Sequence, residues 1–170
     1  CACLVGSEMC IRDRLGAVWL GTTEGLNRYN GKDVKVFQPS ESNHGLTNNE
    51  INELCGDKNG RMYIRSGNDL IKLDIYTEQF TCLRQKGVYG LFCKKDTLWV
   101  SCADGIYYYT GQGTELTFFA RVQKGFVGRA LYVDKETVWV VTRKYLVAIS
   151  REDPLRQEIL PVSYTHLRAH

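Results

Sequence analysis

Apolar residues along this chain gather in short runs rather than in helical stripes. Each run spans four to seven residues, is rich in Val, Ile, Tyr, Phe and Trp, and is bounded by Gly, Asp, Asn or Lys. Such runs predict β-strands, because β-branched and aromatic side chains suit a pleated, half-buried surface. No segment carries an apolar stripe at helical spacing over a useful length. The pattern therefore predicts an all-β fold.

The runs recur as a unit of about forty residues. Four segments align without gaps, and each begins on an aromatic residue: Trp19, Tyr63, Trp99 and Trp139. These aromatic anchors lie 44, 36 and 40 residues apart, and a Leu or Ile follows each of them seven residues later. Four antiparallel strands per unit at this period are typical of a β-propeller, whose blades stack to bury both faces of every sheet. We therefore expect the anchors to pack between blades.

The second unit illustrates the predicted strands. Its runs cover residues 51–55, 61–66, 69–75 and 79–83. Asn59-Gly60 is the residue pair that favours a type I′ turn between the first two strands, because both central positions of that turn need positive φ. In the first unit, the opening strand is expected to be missing, since the recognisable repeat begins near residue 15.

The two ends of the chain read as translated adapter DNA. With permitted codons, residues 5–14 back-translate to a DNA string whose reverse complement encodes residues 161–170. That string resembles the end sequence of a transposase-based sequencing adapter. Segments of this kind are excluded from fold reasoning. We therefore expect residues 1–14 and 161–170 to be adapter-derived, and the chain to be an internal fragment of a longer protein.

The expected organisation is one domain without these ends. Residues 15–160 are predicted to form a partial β-propeller of about three and three-quarter four-stranded antiparallel blades. The predicted blades cover residues 15–38, 50–84, 88–120 and 127–160.

Composition excludes several function classes. The chain has 22 Lys plus Arg against 19 Asp plus Glu, a formal net charge of +3, which gives no basic face for nucleic acid. No apolar run approaches the roughly 20 residues of a membrane helix. No nucleophile–base pair, phosphate loop or carboxylate dyad stands out, so this segment is expected not to be an enzyme.

The counts of cysteine and histidine shrink once the ends are excluded. Of seven Cys and three His, the residues that remain are Cys55, Cys82, Cys93, Cys102 and His44. Their spacing matches no metal site, so we expect neither a metal nor a cofactor. Cys55 and Cys93 are predicted at the same point of the first strand in successive units. Buried free thiols are favoured over disulfides, and the sequence nominates no pair.

Two stretches carry a more specific pattern. They are GAVWLGTTEGLNRYNGKDVKVF at 16–37 and GLTNNEINELCGDKNGRMYIRSGNDLIKLD at 45–74. Together they resemble the two-component-regulator propeller repeat, with its Gly-Leu, paired Asn, Asp-x-x-Gly and Trp-Ile-Gly-Thr elements. The resemblance implies an extracytoplasmic, periplasmic sensor of a membrane-anchored bacterial hybrid histidine kinase. It also implies a homodimer in the full-length protein and, in many members, oligosaccharide ligands.

Candidate ligand-binding residues are placed on one rim of the propeller. The loops between the second and third strands of each blade share a face with the connections between blades, and ligands commonly bind at such a mouth. Arg65 is the leading candidate, because it stands where the first unit has Gly21. The other candidates lie in the loops: Glu24, Asn68, Asp104, Arg143 and Lys144. The alternative is that these residues are turn formers and solvated charges.

The sequence thus favours a non-catalytic segment of a ligand-sensing propeller, responding to an oligosaccharide or another small ligand. Its expected neighbours are the remaining blades of the same chain, with no nucleic acid bound by this segment. Two alternatives stay open: a scaffold propeller that binds another protein, and a propeller enzyme such as a lyase or glycosidase.

Overall fold

The computed structural model describes residues 9–40, 45–122, 128 and 130–162. Within these ranges the chain forms sixteen strands and no helix, arranged as four antiparallel four-stranded sheets. Strands within each sheet follow one another in sequence order, which is the meander of a propeller blade. No helix in the described part of the chain could span a membrane. The prediction of an all-β partial β-propeller is therefore confirmed.

The four sheets are called blades one to four, in chain order. Blade one contains β1 (Met9–Arg12), β2 (Val18–Thr22), β3 (Gly25–Tyr29) and β4 (Val34–Phe37). Blade two contains β5 (Ile51–Gly56), β6 (Arg61–Ser66), β7 (Asp69–Asp74) and β8 (Gln79–Arg84). Blade three contains β9 (Val88–Lys94), β10 (Thr97–Cys102), β11 (Gly105–Tyr109) and β12 (Thr117–Ala120). Blade four contains β13 (Ala130–Val133), β14 (Thr137–Val141), β15 (Tyr145–Ser150) and β16 (Gln157–Pro161).

Blade one has four strands where three were expected. The additional strand, β1, pairs with β2 and lies inside the segment assigned to adapter DNA. Its pairing uses backbone groups, which any extended segment offers to a free strand edge. Ile11 of β1 also packs against the core between blades one and two. Strand formation there does not require a native sequence, and the assignment of residues 1–14 stays a proposal.

The aromatic anchors occupy one register position in all four blades. Each lies on the second strand and faces a residue nine positions later on the third, in the pairs Trp19–Arg28, Tyr63–Lys72, Trp99–Tyr108 and Trp139–Ala148. Trp19 and Tyr63 are fully buried, and Trp99 is 5% exposed. Apolar clusters fill each junction between successive blades. Packing of these three rings between blades is thus as predicted.

Neighbouring side chains of one strand pack into different junctions between blades. On β6, Met62 and Ile64 pack towards blade one, while Tyr63 packs towards blade three. Successive side chains of a strand point to opposite faces, so both faces of an inner blade are buried. This explains why the strands are almost continuously apolar.

The type I′ turn predicted at Asn59-Gly60 is wrong. Only Gly60 of the pair has positive φ, at 80°. The backbone N–H of Asp57 donates to the carbonyl of Arg61, which leaves three residues, 58–60, in the turn. A glycine in the left-handed region at the end of a three-residue turn is a common hairpin solution. The longer turn shifts the register of β5 by one residue relative to a two-residue turn.

Candidate functional site

Five of the six predicted ligand residues lie on one face of the propeller. Glu24, Asn68 and Asp104 lie in the β2–β3, β6–β7 and β10–β11 loops, and Arg143 and Lys144 lie in the β14–β15 loop. All five are exposed. The connections between blades reach the same face, because the Val88 amide donates to the carbonyl of Asn68 at 3.0 Å. We call this set of loops the loop face.

Arg65 is held inside the structure rather than presented on the loop face. Its guanidinium donates to Glu53 Oε1 at 3.0 Å and to the carbonyl of Gly67 at 3.0 Å. Arg65 and Glu53 are register partners on β6 and β5. The second oxygen, Glu53 Oε2, accepts the backbone N–H of Leu91 at 2.7 Å. The pair therefore ties blade two to blade three.

Burial shapes the charge state of this pair. Desolvation raises the pKa of Glu53, and the positive charge of Arg65 opposes that rise. Arg65 Nε is buried and has no hydrogen-bond partner among the described residues. A ligand that used Arg65 would have to replace its contact with Glu53. The ligand role of Arg65 stays a prediction, and its observed contacts are structural.

Asp104 is also engaged within the protein. It accepts hydrogen bonds from Arg84 Nη2 at 2.7 Å and from the Tyr107 hydroxyl at 2.7 Å. The Arg84 guanidinium lies 4.8 Å from the centre of the Tyr107 ring. Burial alone would raise the pKa of Asp104, but the bonds from Tyr107 and Arg84 outweigh it and lower that pKa. Since Arg84 ends β8, this cluster joins blades two and three.

Four predicted side chains remain available on the loop face. Those of Glu24, Asn68, Arg143 and Lys144 make no hydrogen bond or ion pair to another described residue. They offer carboxylate, amide, guanidinium and ammonium groups. Such groups donate to and accept from sugar hydroxyls. The loop face thus separates into an engaged part, at Asp104, and an available part.

A cleft between blades three and four was missed by the sequence analysis. Its volume is about 510 Å³. The walls combine rings, hydroxyls and charges, supplied by Thr97, Trp99, Tyr108, Thr110, Phe119, Lys135, Arg151 and Glu152. The Arg151 guanidinium lies 5.5 Å from the centre of the Trp99 ring. Volumes of this order are typical of small-molecule sites.

The indole N–H of Trp99 lacks the acceptor that equivalent rings have. Trp19 donates to Asp13 at 2.7 Å, and Trp139 donates to Asp134 at 2.8 Å. Blade three has Lys94 five residues before its anchor, and Lys94 donates to a backbone carbonyl of blade four instead. No acceptor for the Trp99 N–H is found in the described ranges. The signal in the sequence was the lack of an Asp five or six residues before the third anchor, where Asp13 and Asp134 precede Trp19 and Trp139.

The described residues contain no group of three or more His, Cys, Asp or Glu that could hold a metal ion. His44 lies outside the described residues. The expected absence of a metal and a cofactor therefore stays a prediction for the whole chain.

Comparison with known proteins bears on the fold. No family model matches the chain, and no curated protein matches it. Among solved structures, the extracellular domain of a hybrid two-component system from B. thetaiotaomicron is similar over 95% of this chain, at 20% identity and a TM-score of 0.71. A second such extracellular domain from B. thetaiotaomicron is similar over 94% of the chain, at 19% identity and a TM-score of 0.65.

A structure with another role shares the fold. PorZ, a surface component of the type-IX secretion system of Porphyromonas gingivalis, is similar over 85% of this chain, at 13% identity and a TM-score of 0.62. The chain spans 22%, 24% and 21% of the three matched proteins. At these identities the likeness establishes the fold alone. The fold of this chain is a partial β-propeller.

Proposed function

We propose that this chain is a segment of the extracytoplasmic, ligand-sensing propeller of a membrane-anchored two-component sensor. One observation carries the proposal: the fold matches extracellular domains of hybrid two-component systems over 95% and 94% of the chain. The repeat pattern at 16–37 and 45–74 supports the same assignment from the sequence. Residues 15–160 are the propeller segment in this proposal, and the ends are adapter-derived.

The segment senses without catalysis in this proposal. A ligand on the loop face stabilises one arrangement of paired sensors, because a ligand shifts a conformational equilibrium by its difference in affinity for the two states. The bias then passes through the membrane to a kinase elsewhere in the full-length protein. The proposed full-length protein is a homodimer, and the two states are two arrangements of its paired sensor domains.

Oligosaccharides are the proposed ligand class. Glu24 and Asn68 supply acceptors, while Asn68, Arg143 and Lys144 supply donors, and all four side chains are exposed. Sugars are recognised by polar groups of these kinds, with charged groups forming the stronger hydrogen bonds. Arg65 supports this surface from inside the structure through its contact with Glu53, and Asp104 is held on the surface by Arg84.

Isothermal titration calorimetry on the complete sensor domain tests the ligand class and its place. A panel of oligosaccharides is titrated into the wild type and into Lys144→Ala. Loss of a charge-assisted hydrogen bond costs about 1.5–3 kcal/mol, so affinity is expected to fall about tenfold or more. Lys32→Ala is the matched control, since Lys32 is an exposed turn lysine in the β3–β4 loop, at the opposite end of the blades.

The outcomes separate the two claims. No heat with any oligosaccharide contradicts the ligand class. If Lys144→Ala, Glu24→Gln and Arg143→Ala all bind with wild-type affinity, the loop face is not the site.

In that event the cleft at Trp99 is tested next. Trp99→Phe keeps a ring and removes the free N–H, with Trp139→Phe as control.

A scaffold propeller is the second candidate function, favoured by the shared fold of PorZ. A scaffold role predicts no oligosaccharide heat and stable capture of a protein partner. A propeller lyase or glycosidase predicts turnover of the titrated sugar, which the calorimeter records as continuing heat.

A further inference from the structure

Two cysteine thiols meet at the junction between blades two and three. Cys55 lies on β5 and Cys93 lies on β9, the first strands of their blades. The two thiols are neighbours across the junction, where Glu53, two residues before Cys55, accepts the backbone N–H of Leu91, two residues before Cys93, at 2.7 Å. Both side chains pack against the apolar cluster that contains Tyr63 and Leu98. The contact therefore joins two different sheets.

Register explains why the two side chains face each other. Cys55 is opposite the anchor Tyr63, whereas Cys93 is opposite Leu98, the residue before the anchor Trp99. Tyr63 packs towards blade three and Leu98 packs towards blade two, so their strand partners do the same. The prediction that Cys55 and Cys93 occupy the same point of successive units is wrong by one residue.

Turn length produces this offset. The turn between β5 and β6 has three residues, at 58–60, while only Lys95 and Asp96 separate β9 from β10. One residue of difference moves a strand's side chains to the other face. Equal turns would have put both cysteines on the same face of their blades, with no contact across the junction.

We propose that Cys55 and Cys93 are a disulfide site that cross-links blades two and three. The co-reactant is a small disulfide, R–S–S–R. One cysteine thiolate attacks it, forming a mixed disulfide and releasing one RS⁻. The second thiolate then attacks the cysteine sulfur of the mixed disulfide, and the second RS⁻ leaves. Two electrons pass from the protein to R–S–S–R, and the two thiol protons end on the released RSH molecules.

The other cysteines of the described blades have different surroundings. Burial raises the pKa of Cys82 on β8, Asp69 raises it further, and a backbone hydrogen bond from Arg84 lowers it. Burial also raises the pKa of Cys102 on β10, which Arg84 lowers and Asp104 raises. Neither thiol has another cysteine as a neighbour among the described residues. Burial raises the pKa of Cys55, with further rises from Cys93, Glu53 and Asp57, so its thiolate is scarce and exchange is slow.

Peptide mapping of the oxidised chain tests the site. The purified protein is incubated with oxidised glutathione, alkylated, digested without reduction and analysed by mass spectrometry. The expected product is a peptide pair joined through Cys55 and Cys93, lighter than the two free peptides by two hydrogens. Cys55→Ser and Cys93→Ser each abolish that product. Cys82→Ser and Cys102→Ser leave its yield unchanged within twofold.

Two results would overturn the site. The first is wild-type protein in which Cys55 and Cys93 remain alkylated as free thiols after prolonged oxidation at pH 9. The second is linkage of Cys55 or Cys93 mainly to another cysteine or to a second chain, visible as a dimer on a non-reducing gel. Mapping of the wild type decides the matter even where a serine variant fails to fold.

Discussion

The carboxylate of Asp134 accepts a hydrogen bond from the indole N–H of Trp139 at 2.8 Å. Its other oxygen accepts the backbone N–H groups of Glu136 and Thr137 at 2.9 and 2.8 Å. One side chain thus fixes both the turn before β14 and the anchor ring on it. Asp13 makes the same contacts in blade one, and Asp57 makes a variant of them in blade two.

Removing the carboxylate of Asp57 should destabilise the protein. Its side chain is 1% exposed and accepts from Arg61 Nε at 2.5 Å. Asp57→Ala leaves Arg61 without its partner and frees the turn amides, at an expected cost of about 2–4 kcal/mol in unfolding free energy. Urea unfolding at equal protein concentration measures it. Lys58→Ala is the control, since its ion pair with Asp96 is exposed and should cost under about 1 kcal/mol. Equal losses for both variants would contradict this role.

The contacts of Asp134 predict a pH dependence in the acid range. The bond from Trp139, followed by those from Glu136 and Thr137, lowers the pKa of Asp134 in the folded state. A carboxyl with a lowered folded pKa stabilises above its unfolded pKa, about 3.9, and the stabilisation is lost as pH falls through the folded value. The stability gap between wild type and Asp134→Asn should therefore be constant near neutral pH and shrink below about pH 4. Urea midpoints from pH 2 to 7 measure it. A gap independent of pH would refute the assignment.

Gly45, in the connection between blades one and two, closely approaches Phe80 on β8 of blade two. A Cβ placed there would lie 2.3 Å from the Cβ of Phe80 and 2.7 Å from its carbonyl carbon. Because part of the obstacle is backbone, Gly45→Ala should cost about 1–3 kcal/mol. Gly56→Ala is the matched control, since its nearest atom would be 3.8 Å away. Thermal melts of the two variants compare their melting temperatures. A Gly45→Ala variant that melts at the wild-type temperature would contradict the close approach to Phe80.

Blade four presents an apolar surface that suggests self-association of the isolated chain. Tyr132 is 56% exposed and Val141 is 42% exposed. Exposed sheet faces and edges drive association in water. We expect sedimentation velocity to show concentration-dependent oligomers, and Val141→Lys to reduce them. A monomer with a sharp melting transition would contradict this prediction.

Repeat periodicity was sufficient to predict the blades and the buried anchors from the sequence. In each blade, the second strand begins within two residues of its aromatic anchor. The alignment of the anchors therefore predicted the order of the strands. Strand β1 was not predicted, because backbone pairing to β2 is indifferent to the side chains that make a repeat recognisable. Asp13, inside the proposed adapter segment, nevertheless makes the contacts of its counterparts.

The pairing of Arg65 was missed for a reason of register. A two-residue turn at Asn59-Gly60 would place Leu54 opposite Arg65. The observed three-residue turn places Glu53 there, and the two charges meet. The predicted turn was one residue too short, and it therefore put an apolar residue where the ion-pair partner of Arg65 lies. The Cys55–Cys93 contact was missed for the same reason.

Sequencing of the intact gene with long reads tests the central proposal most directly, namely that residues 15–160 are a propeller segment of a membrane-anchored sensor. The account predicts that further propeller units replace the codons of residues 1–14 and 161–170. It also predicts that the reading frame continues into a membrane helix and a histidine kinase. An intact frame that keeps both end segments unchanged, or that encodes neither a membrane helix nor a kinase, would contradict it.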